Sequence, residues 1–402
     1  RGRFRDASER LDDDNQQDIR AATLDVDGDD DLDIAVFGSG PARLLINDGN
    51  GYFTDRAGQW LPSRFVDCTP RFEADCGGDQ GGTIYDAHCC RAARPVVLDM
   101  DGDGSDDLAL VSQRQEIALL VNNLLGEKDA LPTRFVGDYE LGLDPLLTTN
   151  TRGHEVTVAD VNSDSRPDLA ILTNGAAGTV HIFQNLLESP IEDGSGPWFY
   201  EVAGAIPAFG EQYDLAGSLC AGDFDGDGAD DLVIATQAGE LVAAPEGEYQ
   251  YSADGKVFLF LSRSDQFGVA FLDATEALPE DLAGTLTLSC DVGDFNLDGA
   301  LDLLLSGYHS GNVLTTAPAP ALPAVNNDRE LTRLFLNDGL VAEDGGGFSG
   351  SFRRDVLPAT PDKNYAVAGA DIDGDGLLEI IAAGVGQLEL WDDAVSRNSG
   401  PK

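Results

Sequence analysis

"DMDGDGSDDLAL", residues 99–110, places five acids within nine positions and then continues as an apolar run. The stretch decides the fold because it recurs along the chain. Related stretches are "DVDGDDDLDI" at 25, "DVNSDSRPDL" at 160, "DFDGDGADDL" at 223, "DFNLDGALDL" at 294 and "DIDGDGLLEI" at 371. Self-similarity at intervals of 61 to 77 residues indicates a repeat architecture, either a solenoid or a propeller.

The segments between the acidic stretches also repeat. In the second repeat a short β-prone run, Leu108–Val111, is succeeded by "ALLVNN" at 118 and by the aromatic-bearing run "TRFVGDYE" at 133. With the strand that leads into the acidic stretch, each repeat contains four short strands separated by Gly, Asp and Asn turns. No long segment has the 3.6-residue apolar period of a helix. The sequence therefore predicts an all-β propeller of four-stranded blades.

The two ends of the chain predict the number of blades. The last repeat stops after its third strand, "LELWDD" at 388, whereas an aromatic fourth-strand stretch stands alone at residues 2–8. If residues 2–8 complete the last blade, the ring closes without an exposed edge. We therefore expect one domain over 1–402 with six blades, starting near 20, 94, 155, 218, 289 and 366, and a Cys-rich insertion at 60–94. The alternative, a seven-bladed ring, would need an interval near twice the period, and none exists.

The acids fall where a cation would need them. In residues 99–107 carboxylates stand at loop positions 1, 3, 5 and 9, and position 7 offers its backbone carbonyl. Such oxygens suit a hard cation with six to eight ligands, and calcium is favoured over magnesium. A solvated acidic turn is the alternative for one loop, but six matching loops argue against it. The candidate ligands at positions 1, 3, 5, 7 and 9 are Asp25, Asp27, Asp29, Asp31 and Asp33; Asp99, Asp101, Asp103, Ser105 and Asp107; Asp160, Asn162, Asp164, Arg166 and Asp168; Asp223, Asp225, Asp227, Ala229 and Asp231; Asp294, Asn296, Asp298, Ala300 and Asp302; and Asp371, Asp373, Asp375, Leu377 and Glu379.

The six loops differ in quality. The loops at 99 and 223 keep every acid and both glycines, so we expect them to bind calcium best. The loop at 160 has Asn162 for an acid, serines for both glycines, and Pro167, so we expect it to be the weakest.

The D-x-D-G-D-G-x-x-D pattern resembles the FG-GAP/VCBS repeats found in the propeller of integrin α chains and in many secreted bacterial proteins. The resemblance covers nearly the whole chain. It implies that each acidic loop joins the first and second strands of a blade and binds calcium, with up to six ions in all. The integrin propeller has seven blades, so the resemblance does not extend to an integrin-like function.

Six cysteines favour an oxidising compartment, and we expect a secreted or cell-surface protein. Cys68, Cys76, Cys89 and Cys90 lie in one insertion, where we expect Cys68 and Cys76 each to pair with one of the other two; a zinc site with His88 is the competing interpretation. Cys220 and Cys290 precede two consecutive acidic loops, where a disulfide and buried free thiols are both open.

Composition limits the partners. Acids outnumber bases 72 to 25, a net charge of −47 that would repel nucleic acid. The chain contains no run of eighteen apolar residues for a membrane span, and its first residues, "RGRFRDASER", are charged rather than apolar. No nucleotide-binding loop or nucleophile motif is present. We therefore expect a monomeric recognition module for an extracellular protein or polysaccharide; the alternative is a calcium-dependent carbohydrate-active lyase or hydrolase.

Connectivity predicts where a partner binds. In a four-stranded meander the acidic loops share one face with the links between strands three and four. The longest inserts, 60–94, 238–256 and 308–332, fall on the opposite face. Because long loops on a rigid scaffold commonly carry function, we expect the binding surface there. The candidate contacts are Arg91, Arg94, Tyr249 and Tyr251.

Overall fold

The structure is a computed structural model that describes part of the chain. The residues described are 18–38, 41–66, 93–112, 117–122, 135–141, 152–174, 179–186, 199–207, 216–236, 241–243, 249–251, 256–264, 268–279, 285–309, 332–343, 346–355, 357, 364–372, 374–384 and 387–391.

The first three blades are antiparallel sheets whose four strands pair in chain order. Blade 1 contains β1 (Asp18–Leu24), β2 (Asp33–Gly38), β3 (Arg43–Asn47) and β4 (Phe53–Asp55). Blade 2 contains β5 (Ala93–Leu98), β6 (Asp107–Ser112), β7 (Ile117–Asn122) and β8 (Phe135–Leu141). Blade 3 contains β9 (Arg152–Ala159), β10 (Asp168–Asn174), β11 (Thr179–Asn185) and β12 (Phe199–Glu201).

Blades 4 and 5 each contain an added hairpin. Blade 4 consists of β13 (Ala216–Gly222), β14 (Asp231–Thr236), β17 (Val257–Ser262) and β18 (Phe271–Asp273), and its hairpin is β15 (Leu241–Ala243) with β16 (Tyr249–Tyr251). Blade 5 consists of β19 (Thr285–Gly293), β20 (Asp302–His309), β21 (Thr332–Asn337) and β24 (Phe352–Asp355), and its hairpin is β22 (Val341–Glu343) with β23 (Gly347–Ser349). Neither hairpin is predicted by the sequence.

Blade 6 is described as three strands, β25 (Asn364–Ala370), β26 (Glu379–Gly384) and β27 (Gln387–Trp391). Its predicted fourth strand, residues 2–8, lies outside the described residues, so closure by the N-terminal strand stays a prediction. The helices of the described residues are short: α1 (Ala57–Trp60), α2 (Ser63–Val66) and one 3-10 turn, Thr275–Ala277. The predicted fold is confirmed as a six-bladed, all-β propeller. Among the described residues no helix is long and apolar enough to span a bilayer.

The hydrophobic core lies between neighbouring blades. On β14 Leu232 and Ile234 pack towards blade 3, whereas the alternate residues Val233 and Ala235 pack towards blade 5. Because side chains of a strand alternate between the two faces of a sheet, a strand covered on both faces is apolar throughout. This explains why the central strands of each repeat read as continuous apolar runs in the sequence.

The first strand of each blade is the inner one, and inner strands of successive blades contact each other. β13 and β19 approach closely near Gly217, where a Cβ atom would lie 2.3 Å from the carbonyl oxygen of Thr287. On the same two strands Cys220 and Cys290 form a disulfide, so these two cysteines are paired rather than free thiols. Cys68, Cys76, Cys89 and Cys90 lie outside the described residues.

Candidate metal centres

The six acidic loops all join the first strand of a blade to its second, so they share one face of the propeller. We call this the acidic face. The loops also share a backbone conformation, with positive φ at positions 4 and 6. Glycine supplies it in residues 99–107, with φ of 74° at Gly102 and 86° at Gly104. Elsewhere the same region is occupied by other residues: Asp30 (69°), Ser163 (56°), Ser165 (63°) and Leu297 (58°). Loss of a glycine has therefore not changed the loop, although the left-handed region is costly for residues with a Cβ.

The first acid of each loop organises the loop backbone. Asp99 accepts hydrogen bonds from the backbone N–H groups of Gly102 (2.8 Å), Asp103 (3.1 Å) and Gly104 (2.9 Å). Equivalent bonds hold the other five loops. These contacts hold each loop in the same tight turn.

The last acid of each loop is buried between strands one, two and three. Asp107 Oδ2 accepts from the N–H of Met100 (2.9 Å), and Oδ1 accepts from the N–H of Asn122 (2.6 Å). Burial is the main cause that raises its pKa to about 8, and the nearby Asp101 and Asp103 add to it. Burial likewise raises the pKa of the equivalent acids, to about 8 for Asp231, 7 for Asp168, and 6 for Asp33 and Asp302.

Three loops bring carboxylates close enough to share a cation. In each of three sets one oxygen per residue lies within 4.8 Å of the other two: Asp25, Asp27 and Asp29; Asp99, Asp101 and Asp107; Asp223, Asp225 and Asp231. Calcium binds oxygens at roughly 2.3–2.6 Å, so two ligands on opposite sides of one ion stand about 5 Å apart. These three donor sets therefore fit calcium.

In blade 6 the last acid is Glu379, whose longer side chain still reaches the loop. It is 3% exposed, and its Oε2 accepts from the N–H of Ile372 at 2.6 Å. Its Oε1 is buried and has no hydrogen-bond partner among the described residues. A cation would satisfy such an orphaned oxygen. Asp373, another candidate ligand of this loop, lies outside the described residues.

Two arginines contact the loops of blades 3 and 4. In blade 3 the guanidinium of Arg166, a residue predicted to offer only its carbonyl, hydrogen-bonds to Asp164. In blade 4 Arg263 Nη1 lies 3.2 Å from Asp225 Oδ2 and 3.6 Å from Asp227 Oδ2. Arg263 was missed at the level of sequence. A signal existed, since an arginine comes directly after the third strand only in this repeat, "LSR" against "IND" and "LND".

A chain of hydrogen bonds links the loops of successive blades. The polar residue that ends the third strand of one blade donates a side-chain hydrogen bond to the acidic loop of the preceding blade. The acceptor is the backbone carbonyl of the second residue of that loop. The pairs are Asn122 with the carbonyl of Val26 (2.9 Å), Asn185 with Met100 (2.9 Å), Ser262 with Val161 (2.6 Å) and Asn337 with Phe224 (2.8 Å). The backbone N–H of the same polar residue donates to the buried acid of its own loop, as from Asn185 to Asp168 at 2.7 Å. This role was not predicted, although the third strand ends in a polar residue in each of blades 1 to 5.

The predicted partner contacts are only partly described. Arg94 lies on β5 rather than in the insertion, and Tyr249 and Tyr251 lie on β16, but their side chains are outside the described residues, as is all of Arg91.

Comparison with known families supports the repeat. Residues 99–171 match the model of the family described as FG-GAP-like repeat. The matched segment includes the acidic loops of blades 2 and 3. The protein is thus a β-propeller that contains an FG-GAP-like repeat, as the acidic pattern predicts. No curated protein matches the sequence.

Among solved structures, one similar chain is a lectin from Agrocybe aegerita that specifically recognises non-reducing terminal N-acetylglucosamine. It shares 16% identity at a TM-score of 0.51, over 90% of this chain and 73% of the lectin chain. The rhamnogalacturonan lyases YesX and YesW share 15% identity at a TM-score of 0.38; the alignments cover 91% and 92% of this chain and 53% and 71% of theirs. At 16% identity the lectin shows a likeness of fold alone.

Proposed function

We propose that this protein is a calcium-stabilised β-propeller that binds an extracellular carbohydrate or protein. The observation that carries the proposal is the convergence of three carboxylates at equivalent loops of blades 1, 2 and 4. Carboxylates held this close repel one another, and a bound calcium ion would offset that repulsion and hold the loop that joins the first and second strands. On this proposal the ion is structural, because the acidic loops brace the blades.

A carbohydrate partner is favoured over nucleic acid on two grounds. The net charge of −47 opposes binding of any polyanion. The similar Agrocybe aegerita chain is a lectin that recognises non-reducing terminal N-acetylglucosamine, which supports a carbohydrate partner. The disulfide Cys220–Cys290 supports a secreted or cell-surface location, where such bonds persist.

We place the partner surface on the face opposite the acidic face, where the long inserts emerge. β15 and β16 form a hairpin within the 238–256 insert, which makes that insert a defined projection rather than a simple link. Arg91, Arg94, Tyr249 and Tyr251 remain the proposed contacts. Tyr52, 54% exposed in the link between β3 and β4, provides a matched aromatic on the acidic face.

A polysaccharide and glycan array, read for binding and for cleavage with and without calcium, tests the proposal. We expect calcium-dependent binding without cleavage. Tyr249→Ser with Tyr251→Ser should abolish binding, whereas Tyr52→Ser should leave it intact. Loss of binding only with Tyr52→Ser would move the surface to the acidic face. Cleavage of a bound polysaccharide would instead establish the lyase or hydrolase alternative.

A further inference from the structure

The fifth position of the acidic loops separates blade 3 from the others. In residues 99–107 one oxygen of Asp103 accepts the N–H of Ser105 at 2.8 Å, and its other oxygen accepts no hydrogen bond from the described residues. The first contact is repeated in the loops at 25, 223, 294 and 371. In these loops the second oxygen takes no part in that backbone bond and is the one that a cation would use; in blade 4 this oxygen also lies 3.6 Å from Arg263 Nη1.

In residues 160–168 both oxygens of the equivalent acid are engaged. Asp164 Oδ1 accepts the N–H of Arg166 at 2.9 Å. Asp164 Oδ2 accepts the side-chain amide of Asn162 at 2.9 Å and also the guanidinium of Arg166. The guanidinium is held in place from its other side, because Arg166 Nε donates to the carbonyl of Asn185 at 3.1 Å.

We propose that Arg166 is the resident cation of the loop at 160–168, so that blade 3 holds its acidic loop without calcium. The guanidinium supplies the positive charge that calcium would supply, and the Asn162 amide presents hydrogens where calcium requires a lone pair. The inference rests on the proposed calcium binding of the other loops. It limits the loaded protein to five ions.

Arg263 in blade 4 does not have the same effect. It comes from the strand-three end rather than from the loop, and Asp223, Asp225 and Asp231 still converge within 4.8 Å beside it. Neither the described acids of the loop at 160 nor those of the loop at 294 form a three-acid group of this kind, and both loops have Asn at position 3. Blade 3 is distinguished by an arginine within the loop whose guanidinium bonds to Asp164.

The decisive experiment restores a ligand set and counts ions. Asn162→Asp combined with Arg166→Ser gives the loop at 160 the residues that stand at positions 3 and 7 of the loop at 99. Equilibrium dialysis at saturating calcium should find one more ion per chain in this double variant than in the wild type. Arg353→Ser, which removes an exposed arginine paired with Asp338 at 2.8 Å, is the control and should leave the number unchanged. An unchanged number in a folded double variant overturns the proposal.

A second measurement tests the role of Arg166 in the absence of calcium. In calcium-free buffer Arg166→Ser should lower the melting temperature more than Arg353→Ser, because it leaves the loop acids without their cation. Equal effects of the two variants would overturn the role of Arg166. If the wild type binds no calcium at all, the proposed function fails, and this calcium-free comparison alone decides the role of Arg166.

Discussion

Asn337 of blade 5 donates its side-chain amide to the carbonyl of Phe224 in the acidic loop of blade 4, at 2.8 Å and across 113 residues of sequence. Its backbone N–H donates to the buried Asp302 of its own blade at 2.8 Å. One residue therefore ties two candidate metal loops together. The contact is buried, so neither group can turn to water when the other is removed.

Asn337→Ala should destabilise the protein by about 1–3 kcal/mol, because it leaves a buried carbonyl without its donor. Denaturant unfolding followed by fluorescence measures the change. Asn50→Ala, which removes an exposed amide that bonds to Asp48 within the same turn, should stay within about 0.5 kcal/mol of the wild type. If both variants lose the same stability, the hydrogen bond from Asn337 to Phe224 does not contribute measurably to the free energy of unfolding.

Calcium removal should lower the melting temperature markedly. Each site that binds only the folded state adds RT ln(1 + [L]/Kd), about 2.7 kcal/mol when calcium stands at 100 times Kd. Asp101→Ala removes a side chain from the convergent set of blade 2, so the calorimetric stoichiometry should fall by about one. If excess EGTA leaves the melting curve unchanged, calcium does not stabilise this protein.

The calcium-free protein should lose stability as the pH rises from about 4 to 8. Asp107 and Asp231 have folded pKa values of about 8 against an ordinary value of 3.8, so the folded state holds protons that the unfolded state releases. Their stabilising effect is complete below pH 4 and is lost as the pH passes through 8. Stability measured across this range should fall less steeply in Asp231→Asn. If stability falls with pH equally steeply in the wild type and in Asp231→Asn, Asp231 is ionised in the folded protein across this range.

Leu297→Gly should stabilise the protein by about 0.5–1 kcal/mol. Leu297 holds a φ of 58°, which glycine adopts without strain, and its side chain is 57% exposed, so little burial is lost. Leu297→Ala keeps a Cβ in the same conformation and should remain close to the wild type. Equal stability of the two variants would mean that the loop at 294 is not strained.

Reduction of the disulfide should cost about 2–4 kcal/mol. Cys220 and Cys290 close a loop of 70 residues, and opening it frees the unfolded chain more than the folded one. Denaturation with and without dithiothreitol measures the difference, and the variant with both cysteines changed to alanine should show none. If dithiothreitol does not change the stability of the wild type, packing alone holds blades 4 and 5 together.

The propeller could be predicted from the amino-acid sequence because its signals are local and repeated. The acidic loop, the apolar second strand and the aromatic fourth strand each depend on a few adjacent residues, and their recurrence indicates six blades. The common loop face could be predicted as well, since connectivity in a meander fixes which links share a side. The hairpins β15–β16 and β22–β23 could not, because each occurs once, in inserts with no repeat to compare.

Hydrogen bonds between an acidic loop and residues distant in the sequence depend on the assembled fold. The bond from Asn122 to Val26 joins residues 96 apart, and nothing in either local pattern indicates the other. Likewise, Arg166 stands at a loop position in the sequence, but the direction of its side chain is set by the Asn185 carbonyl on the third strand. The pairing of Cys220 with Cys290 needed two inner strands brought together by the packing of neighbouring blades. Local spacing specifies backbone conformation, whereas the partner of a side chain depends on which blades become neighbours.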